Sequence, residues 1–255
     1  MRLRVLGCSG GIGDGGHTTS FLVDDDLLID AGTGVCGLDI AALARIDHVF
    51  VTHAHLDHVC GLAFIIDSVF GHRRAPLRVH ALPATLAALR DHMFNGVIWP
   101  DFTRLRSHGQ PSLEFIEFDV GAVFESAGRR VEALPAAHQV PAVGYRVDAP
   151  SGRSFVFTGD TAACPARWDA VNRIPDLALL VIETAFCNAE ADLALRSQHL
   201  CPASLADDIA ALAARPALRI THLKPSDAQL TMEEVRAAIP RFDPLPLRDG
   251  EVFTF

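Results

Sequence analysis

One short segment constrains this chain more than any other: Thr52-His53-Ala54-His55-Leu56-Asp57-His58, which follows the apolar run His48–Val51 without a break. Three imidazoles and one carboxylate fall within six residues. Where a strand leaves its sheet, backbone turns aim such side chains at one point. Neutral imidazole with carboxylate is the donor set of zinc, manganese or iron. The alternative, a solvated polar loop, leaves that concentration of donors to chance. One cluster cannot fill two metal shells, so further ligands are expected from distant strand ends. His138 in AAHQVPAVGY, Asp160 in TGDT and His222 in ITHLKP each sit at or just past the end of an apolar run. Singly, a His or Asp after a strand is more often a cap or turn residue. With the first cluster they complete a two-metal set.

Short runs of Val, Ile, Leu and Phe predict strands at Leu3–Leu6, Ser20–Val23, Leu27–Asp30, His48–Thr52, Leu77–Ala81, Arg130–Leu134, Val143–Val147, Ser154–Thr158, Leu177–Ile182 and Leu218–Thr221. Asp24–Asp26 reads as a hairpin turn. Helices are expected at Pro83–Phe94, Pro202–Ala214 and Met232–Ala238, the first two opening on a proline that a helix's first turn tolerates. Hairpins early and strand–helix alternation later predict two sheets packed face to face with helices outside, rather than one doubly wound sheet. No shift of composition marks a linker and no repeat of fixed period occurs, so residues 1–255 are expected to form a single domain.

Lys plus Arg is 22 against 31 Asp plus Glu, a net charge of −9. That balance argues against broad nucleic-acid binding. A small anionic substrate is compatible with it, because local metal charge overrides the overall field. The opening MRLRVLGCSGG has no apolar stretch before its glycines and reads as a first strand, not a signal peptide. No run is long enough to span a bilayer. The six cysteines are scattered without a C-x-x-C pair, so buried thiols and a cytoplasmic location are expected.

HAHLDH, a lone His, TGD and a final THL together resemble the metallo-β-lactamase superfamily, over nearly the whole chain. The match includes the glycine loop Gly7–Gly11 and the step LLIDAG at Leu27–Gly32. The resemblance implies an α/β fold, the four-layer αββα sandwich, and two divalent ions, zinc first, with manganese or iron next. Carried over by motif, His53, His55 and His138 would hold one metal and Asp57, His58 and His222 the second, with Asp160 bridging both. A hydroxide shared by the ions would be the nucleophile, and Asp57 would both ligate and orient it. The cations would offset charge growing on the non-bridging oxygens. Phosphodiesters, thioesters, lactones and β-lactams all yield to this machinery within the superfamily.

The string HAHLDHVCGLAFIIDS at His53–Ser68 is similar to the signature of the class II 3′,5′-cyclic-nucleotide phosphodiesterases. HMFNGVIWPDF at His92–Phe102 and the stretch Ile182–Pro202, from IETAFCN to QHLCP, also resemble that family. This implies hydrolysis of cyclic AMP or cyclic GMP to the 5′-monophosphate. His199 would then give a proton or hydrogen bond to the scissile phosphate, supported by Glu183. The ordinary alternatives are a surface residue at a helix start and a satisfied structural carboxylate. Trp99 would stack the base, Asn95 and Asp101 would read its edge or the ribose, and His17 in GGHTTS would touch the phosphate. Loop packing and a tight turn account for the same four residues equally well. The expected partner is a small phosphodiester with no membrane, and the family's habit of dimerising makes a homodimer an expectation too.

The main rival is the tRNA 3′-processing endoribonuclease, which shares the fold and a Glu with a downstream His. The flexible basic arm that holds tRNA has no Gly/Pro/Lys-rich counterpart here. Another small phosphodiester hydrolase, acting on cyclic sugar phosphates, is a second rival, though the zinc-binding Cys set of one such branch is absent. A flavodiiron-type oxidoreductase would carry Glu where His55 stands. A non-catalytic metal-binding module would have lost ligands, and all seven expected positions are filled.

Overall fold

The computed structural model describes residues 1–255, and its layers follow from which way the apolar side chains of each strand point. The chain begins with β1 (Arg2–Gly7), β2 (Ser20–Val23), β3 (Leu27–Ile29), β4 (His48–Phe50) and β5 (Leu77–Ala81). A small hairpin, β6 (Arg106–Ser107) with β7 (Gln110–Pro111), precedes β8 (Leu113–Glu117). Then come β9 (Val123–Ser126), β10 (Arg129–Pro135), β11 (Val143–Asp148), β12 (Ser154–Phe157), β13 (Leu177–Glu183), β14 (Ala217–Thr221), β15 (Leu245–Pro246) and β16 (Val252–Thr254). One sheet has the order β16-β1-β2-β3-β4-β5-β8 and the other β15-β14-β13-β12-β11-β10-β9.

Strand side chains alternate between faces, and this sorts the apolar residues into three cores. Phe21, Val23, Leu27 and Ile29 of the first sheet meet Phe155, Phe157, Leu179 and Val181 of the second. Their neighbours Leu22 and Leu28 face the other way, against Leu62 of α2 (Leu56–Ser68) and Leu86 of α3 (Pro83–His92). On the far side, Val156, Leu180 and Ile182 pack with Trp168 of α4 (Pro165–Val171), Leu205 of α6 (Pro202–Ile209) and Val235 of α7 (Ala228–Ala238). Helix, sheet, sheet, helix is the four-layer αββα sandwich expected from the sequence. Arg129 links the layers at the edge, its guanidinium donating to both carboxylate oxygens of Asp26 in the β2–β3 turn at 2.7 and 2.6 Å.

Nine of the ten expected strands begin and end within a residue of the observed ones, and His48–Thr52 stops two residues early, at Phe50. The helices diverge more. Pro202–Ala214 ends at Ile209, Pro83–Phe94 ends at His92, and Met232–Ala238 starts four residues earlier, at Ala228. The short helices α1 (Ile40–Arg45) and α5 (Ala191–Ser197), like α4, were not anticipated. Nor was α2, although it carries two of the expected ligands. Its buried residues Val59, Leu62, Ile65 and Ile66 keep helical spacing, yet Leu56 and Phe64 are exposed and Ala63–Ile66 reads as a continuous apolar run. β8 and β9 at the sheet edges carry glutamates that hid them.

The site's place follows from strand direction. β3, β4 and β5 run parallel, as do β12, β13 and β14. Their C-terminal ends therefore open on one edge of the sandwich. No helix is long and apolar enough to cross a membrane.

Candidate metal centre

Each expected ligand is set by a local backbone device at that edge. His53 follows β4 and is fully buried. His55 is the N-cap of α2, which puts Asp57 and His58 on the first turn, where the helix dipole favours a carboxylate. His138 lies in the loop after β10, which is pinned by Ala137 N–H donating to Thr161 Oγ1 (3.0 Å). Asp160 follows Gly159, whose φ of +62° suits a residue without Cβ. His222 itself holds a left-handed φ of +61°, kept there by its N–H donating to Cys8 O at 2.8 Å. A non-glycine residue in that region costs about 1–2 kcal/mol, a local strain typical of functional sites.

The seven side chains converge in two groups. In His53, His55 and His138, one ligand atom from each lies within 4.8 Å of the others, and the same holds for Asp57, His58, Asp160 and His222. Asp160 stands between the groups: Oδ2 is 3.7 Å from His53 Nε2 and 3.3 Å from His58 Nε2, and Oδ1 is 3.3 Å from His222 Nδ1. Asp57 Oδ2 lies 3.7 Å from His58 Nε2 and 3.8 Å from His222 Nε2. His138 Nε2 is 3.2 Å from His55 Nδ1.

The outer ring nitrogens are occupied, which fixes the tautomers. His53 Nδ1 donates to Thr52 Oγ1 at 3.0 Å, and that hydroxyl in turn donates to Asp30 Oδ2 at 2.8 Å. His58 Nδ1 donates to Asp30 Oδ2 at 2.7 Å, and His138 Nδ1 to Gln198 O at 3.1 Å. This leaves each Nε2 facing inward, the pattern of metal-binding histidines held by outer partners. Burial pushes the pKa of His53 well below its usual value and that of His222 down to about 3. At His58 burial works the same way but is outweighed by Asp160 and Asp30, which raise it. Burial opposes ionisation of Asp160 too, yet His222 and His58 hold its carboxyl well below the usual range. Asp160 is thus held charged, and it draws positive charge inward.

The donor set fits divalent cations. His53 Nε2, His58 Nε2, Asp160 Oδ1 and His222 Nδ1 are all buried without a hydrogen-bond partner. Buried polar atoms are rarely left unpaired, and these four point into the same small space.

His199 and Glu183 meet beside the cluster. His199 Nδ1 donates to Glu183 Oε1 at 2.8 Å, and Glu183 is fully buried at the end of β13. Glu183 also accepts from Thr161 N–H at 2.9 Å and Leu200 N–H at 3.3 Å. The His199 ring stacks on His222 with centroids 5.1 Å apart and stands edge-on to His138 at 4.9 Å. Burial opposes its charge, but Glu183 outweighs it and raises the His199 pKa. With His138 and Asp160 it forms a third group of suitable donors.

The residues expected to touch substrate are not drawn into this cluster. Asn95 Oδ1 accepts from Val97 and Ile98 N–H, Asp101 Oδ1 accepts from Thr103, and Trp99 packs edge-on to Phe64, centroids 5.6 Å apart. His17 Nδ1 donates to Asp249 Oδ2 at 2.9 Å. The polar groups of Asn95, Asp101 and His17 are thus taken up by loop contacts, while Trp99 Nε1 is buried without a partner. Conversely, sequence reading gave no role to Asp30, Thr52 or Thr161. The signal for Asp30 was present: an aspartate closing the wholly apolar strand LLI, in the middle of the LLIDAG step.

A family model described as "Beta-lactamase superfamily domain" matches residues 26–239. Ribonuclease Z of Haloarcula marismortui is 24% identical over 95% of this chain and 92% of its own length. 3′,5′-cyclic-nucleotide phosphodiesterase 1 of Saccharomyces cerevisiae is 39% identical over 23% of this chain, a match spanning 16% of that relative. The crystal structure of unliganded yeast PDE1 superposes with a TM-score of 0.82 at 19% identity, covering 98% of each chain.

Proposed function

From the premise that the chain belongs to the beta-lactamase superfamily, we propose that it is a metal-dependent phosphodiesterase that opens 3′,5′-cyclic nucleotides, cyclic AMP or cyclic GMP, to 5′-monophosphates. The observation that carries this reading is the pairing of the seven-residue donor cluster with a buried Glu183–His199 dyad at its side. Cations held by the cluster would supply the electrophilic chemistry and activate a water, and the dyad is placed to supply a proton. His53, His55 and His138 would hold one cation, Asp57, His58 and His222 the other, and Asp160 both. When bound, such a pair polarises phosphoryl oxygens and brings a water's pKa towards neutrality.

The chain's own residues do the rest. Asp57, whose side chain is more open to solvent than that of Asp160, orients the attacking water. Attack at phosphorus forms one P–O bond and breaks the P–O3′ bond, and the departing O3′ takes a proton. His199 is the group to deliver it. Glu183 fixes its Nδ1 proton and leaves Nε2 free to donate, and the carboxylate's charge raises the ring's pKa. Buried Thr161 and Leu200 N–H groups hold Glu183 in place.

Processing of tRNA 3′ ends is the second activity this site could serve, because the ribonuclease Z relative is matched over nearly its whole length. A substrate panel separates the two: cyclic 3′,5′-nucleotides, 2′,3′-cyclic nucleotides, a generic phosphodiester and precursor tRNA, each with Zn, Mn and Fe. Turnover of cyclic AMP or GMP to the 5′-monophosphate is expected. Selective turnover of precursor tRNA would replace the substrate, and failure to bind metal under metal-replete conditions would remove the whole reading.

A further inference from the structure

Beside the cluster stands a cation with no role in the chemistry above. Lys224 is the chain's only lysine. It lies two residues after His222, between β14 and α7, and is half-buried. Its backbone N–H donates to Ala185 O at 3.2 Å, its Nζ donates to Gly10 O at 2.5 Å, and Nζ lies 5.9 Å from the centre of the Phe186 ring.

Both of those neighbours are walls of the site. A Cβ on Gly10 would sit 2.4 Å from His222 O and 3.0 Å from its ring, so only glycine lets the loop close on that histidine. The Phe186 ring stands edge-on to His199 with centroids 5.8 Å apart. The ammonium is thus tied to the edge of the metal centre.

No carboxylate answers that charge. Lys224 belongs to none of the chain's ion pairs, although acidic residues outnumber basic ones 31 to 22. Placing a half-buried cation beside a site built to attract cations is unfavourable unless an anion completes it. An ammonium has three donors. One goes to Gly10 O, and the others are open to a ligand.

We propose that Lys224 is the site's phosphate anchor, an ammonium held at the rim of the metal centre to receive an anionic oxygen of the substrate or product. It holds the phosphoryl group at the cluster while the nucleotide's other parts remain exchangeable. The identity of the substrate rests on the phosphodiesterase reading, but capture of the anion needs no turnover.

The test uses the metal-loaded full chain and inorganic phosphate as probe, with binding followed by calorimetry for wild type, Lys224→Met and Lys224→Arg. Lys224→Met is expected to weaken phosphate binding about tenfold or more, the factor one charge-assisted hydrogen bond supplies. Lys224→Arg is expected to recover most of it, with bound metal and melting temperature unchanged in both. A single lysine also allows a direct readout. Phosphate should slow acylation of Lys224, measured by peptide mass spectrometry, without slowing that of the N-terminal amine. A loss of less than threefold in Lys224→Met, acylation that phosphate leaves unchanged, or loss of metal from the variant overturns the assignment. A wild type that binds phosphate through Lys224 yet opens no cyclic nucleotide would sink the substrate reading and leave the anchor standing.

Discussion

Replacing Asp30 by Asn tests whether an outer carboxylate sets the tautomers of the cluster. Asp30 is fully buried, and its Oδ1 accepts from Thr52 N–H at 2.8 Å. Its Oδ2 accepts from the Thr52 hydroxyl at 2.8 Å and from His58 Nδ1 at 2.7 Å. Asparagine keeps the shape and tolerates the left-handed φ of +54°. Its amide oxygen can still serve Thr52 N–H, but its NH₂ then faces His58 Nδ1 and the Thr52 hydroxyl. Two donors cannot share that position. His58 must present Nδ1 as an acceptor, which moves its proton to Nε2, the atom aimed into the cluster. A protonated Nε2 cannot ligate.

Loss of such an outer partner typically costs 10–100-fold in metal affinity, or about 1.4–2.7 kcal/mol. The mismatch should take a further ~1–3 kcal/mol from stability. Zinc binding by chelator competition, with urea unfolding of the metal-free protein alongside, reads both. Expected is a folded variant whose second metal is bound at least tenfold more weakly. A folded Asp30→Asn protein that binds two metals within threefold of wild type would refute the tautomer argument.

His199→Ala should lower kcat by ~10²–10⁴ while leaving metal content intact, because a general acid contributes in that range; an unchanged kcat on cyclic nucleotides would remove His199 from the chemistry. Asp208→Ala leaves the buried Arg167 guanidinium without its carboxylate and Cys164 N–H without its acceptor. The expected loss is about 3–5 kcal/mol in urea unfolding, with Arg167→Met/Asp208→Leu regaining most of it; a single-variant loss below ~1 kcal/mol would contradict this. His80 is buried against His48, its Nε2 2.9 Å from His48 Nδ1, and burial lowers its pKa to about 3. A depressed pKa stabilises the fold above the unfolded value, near 6.5, and that stability drains away as pH falls towards 3. Between pH 7 and 5 this one group should cost about 2 kcal/mol, so His80→Phe should flatten the pH dependence of the urea midpoint, and an unchanged slope would rule the histidine out.

Legibility in the sequence tracked the distance over which an interaction acts. His53, His55, Asp57 and His58 were visible because a strand exit and one helical turn suffice to gather them, although the helix itself was not foreseen. His138, Asp160 and His222 were visible as donors at strand ends. Glu183 and His199 stood open between structural and functional readings, since nothing local joins residues separated by a strand end, a loop and α5. Their 2.8 Å contact belongs to the folded chain. For Asn95, Trp99 and Asp101 ligand contact and loop packing stood level, because a sequence does not display the loop amides that Asn95 and Asp101 accept from or the Phe64 ring that Trp99 packs against.

By itself, then, the sequence determined the donor inventory, the strand periodicity and the layered class, all of which depend on chemistry repeated over a few residues. Only the tertiary structure decided which nitrogen of each histidine faces inward, which carboxylate stands between the two groups, and that an unpaired lysine sits against the glycine loop. Those outcomes depend on Asp30, Thr52, Gln198 and Gly10 arriving from four separate segments. Hydrogen bonds act over about 3 Å, and only the closing of the two sheets brings such segments that near.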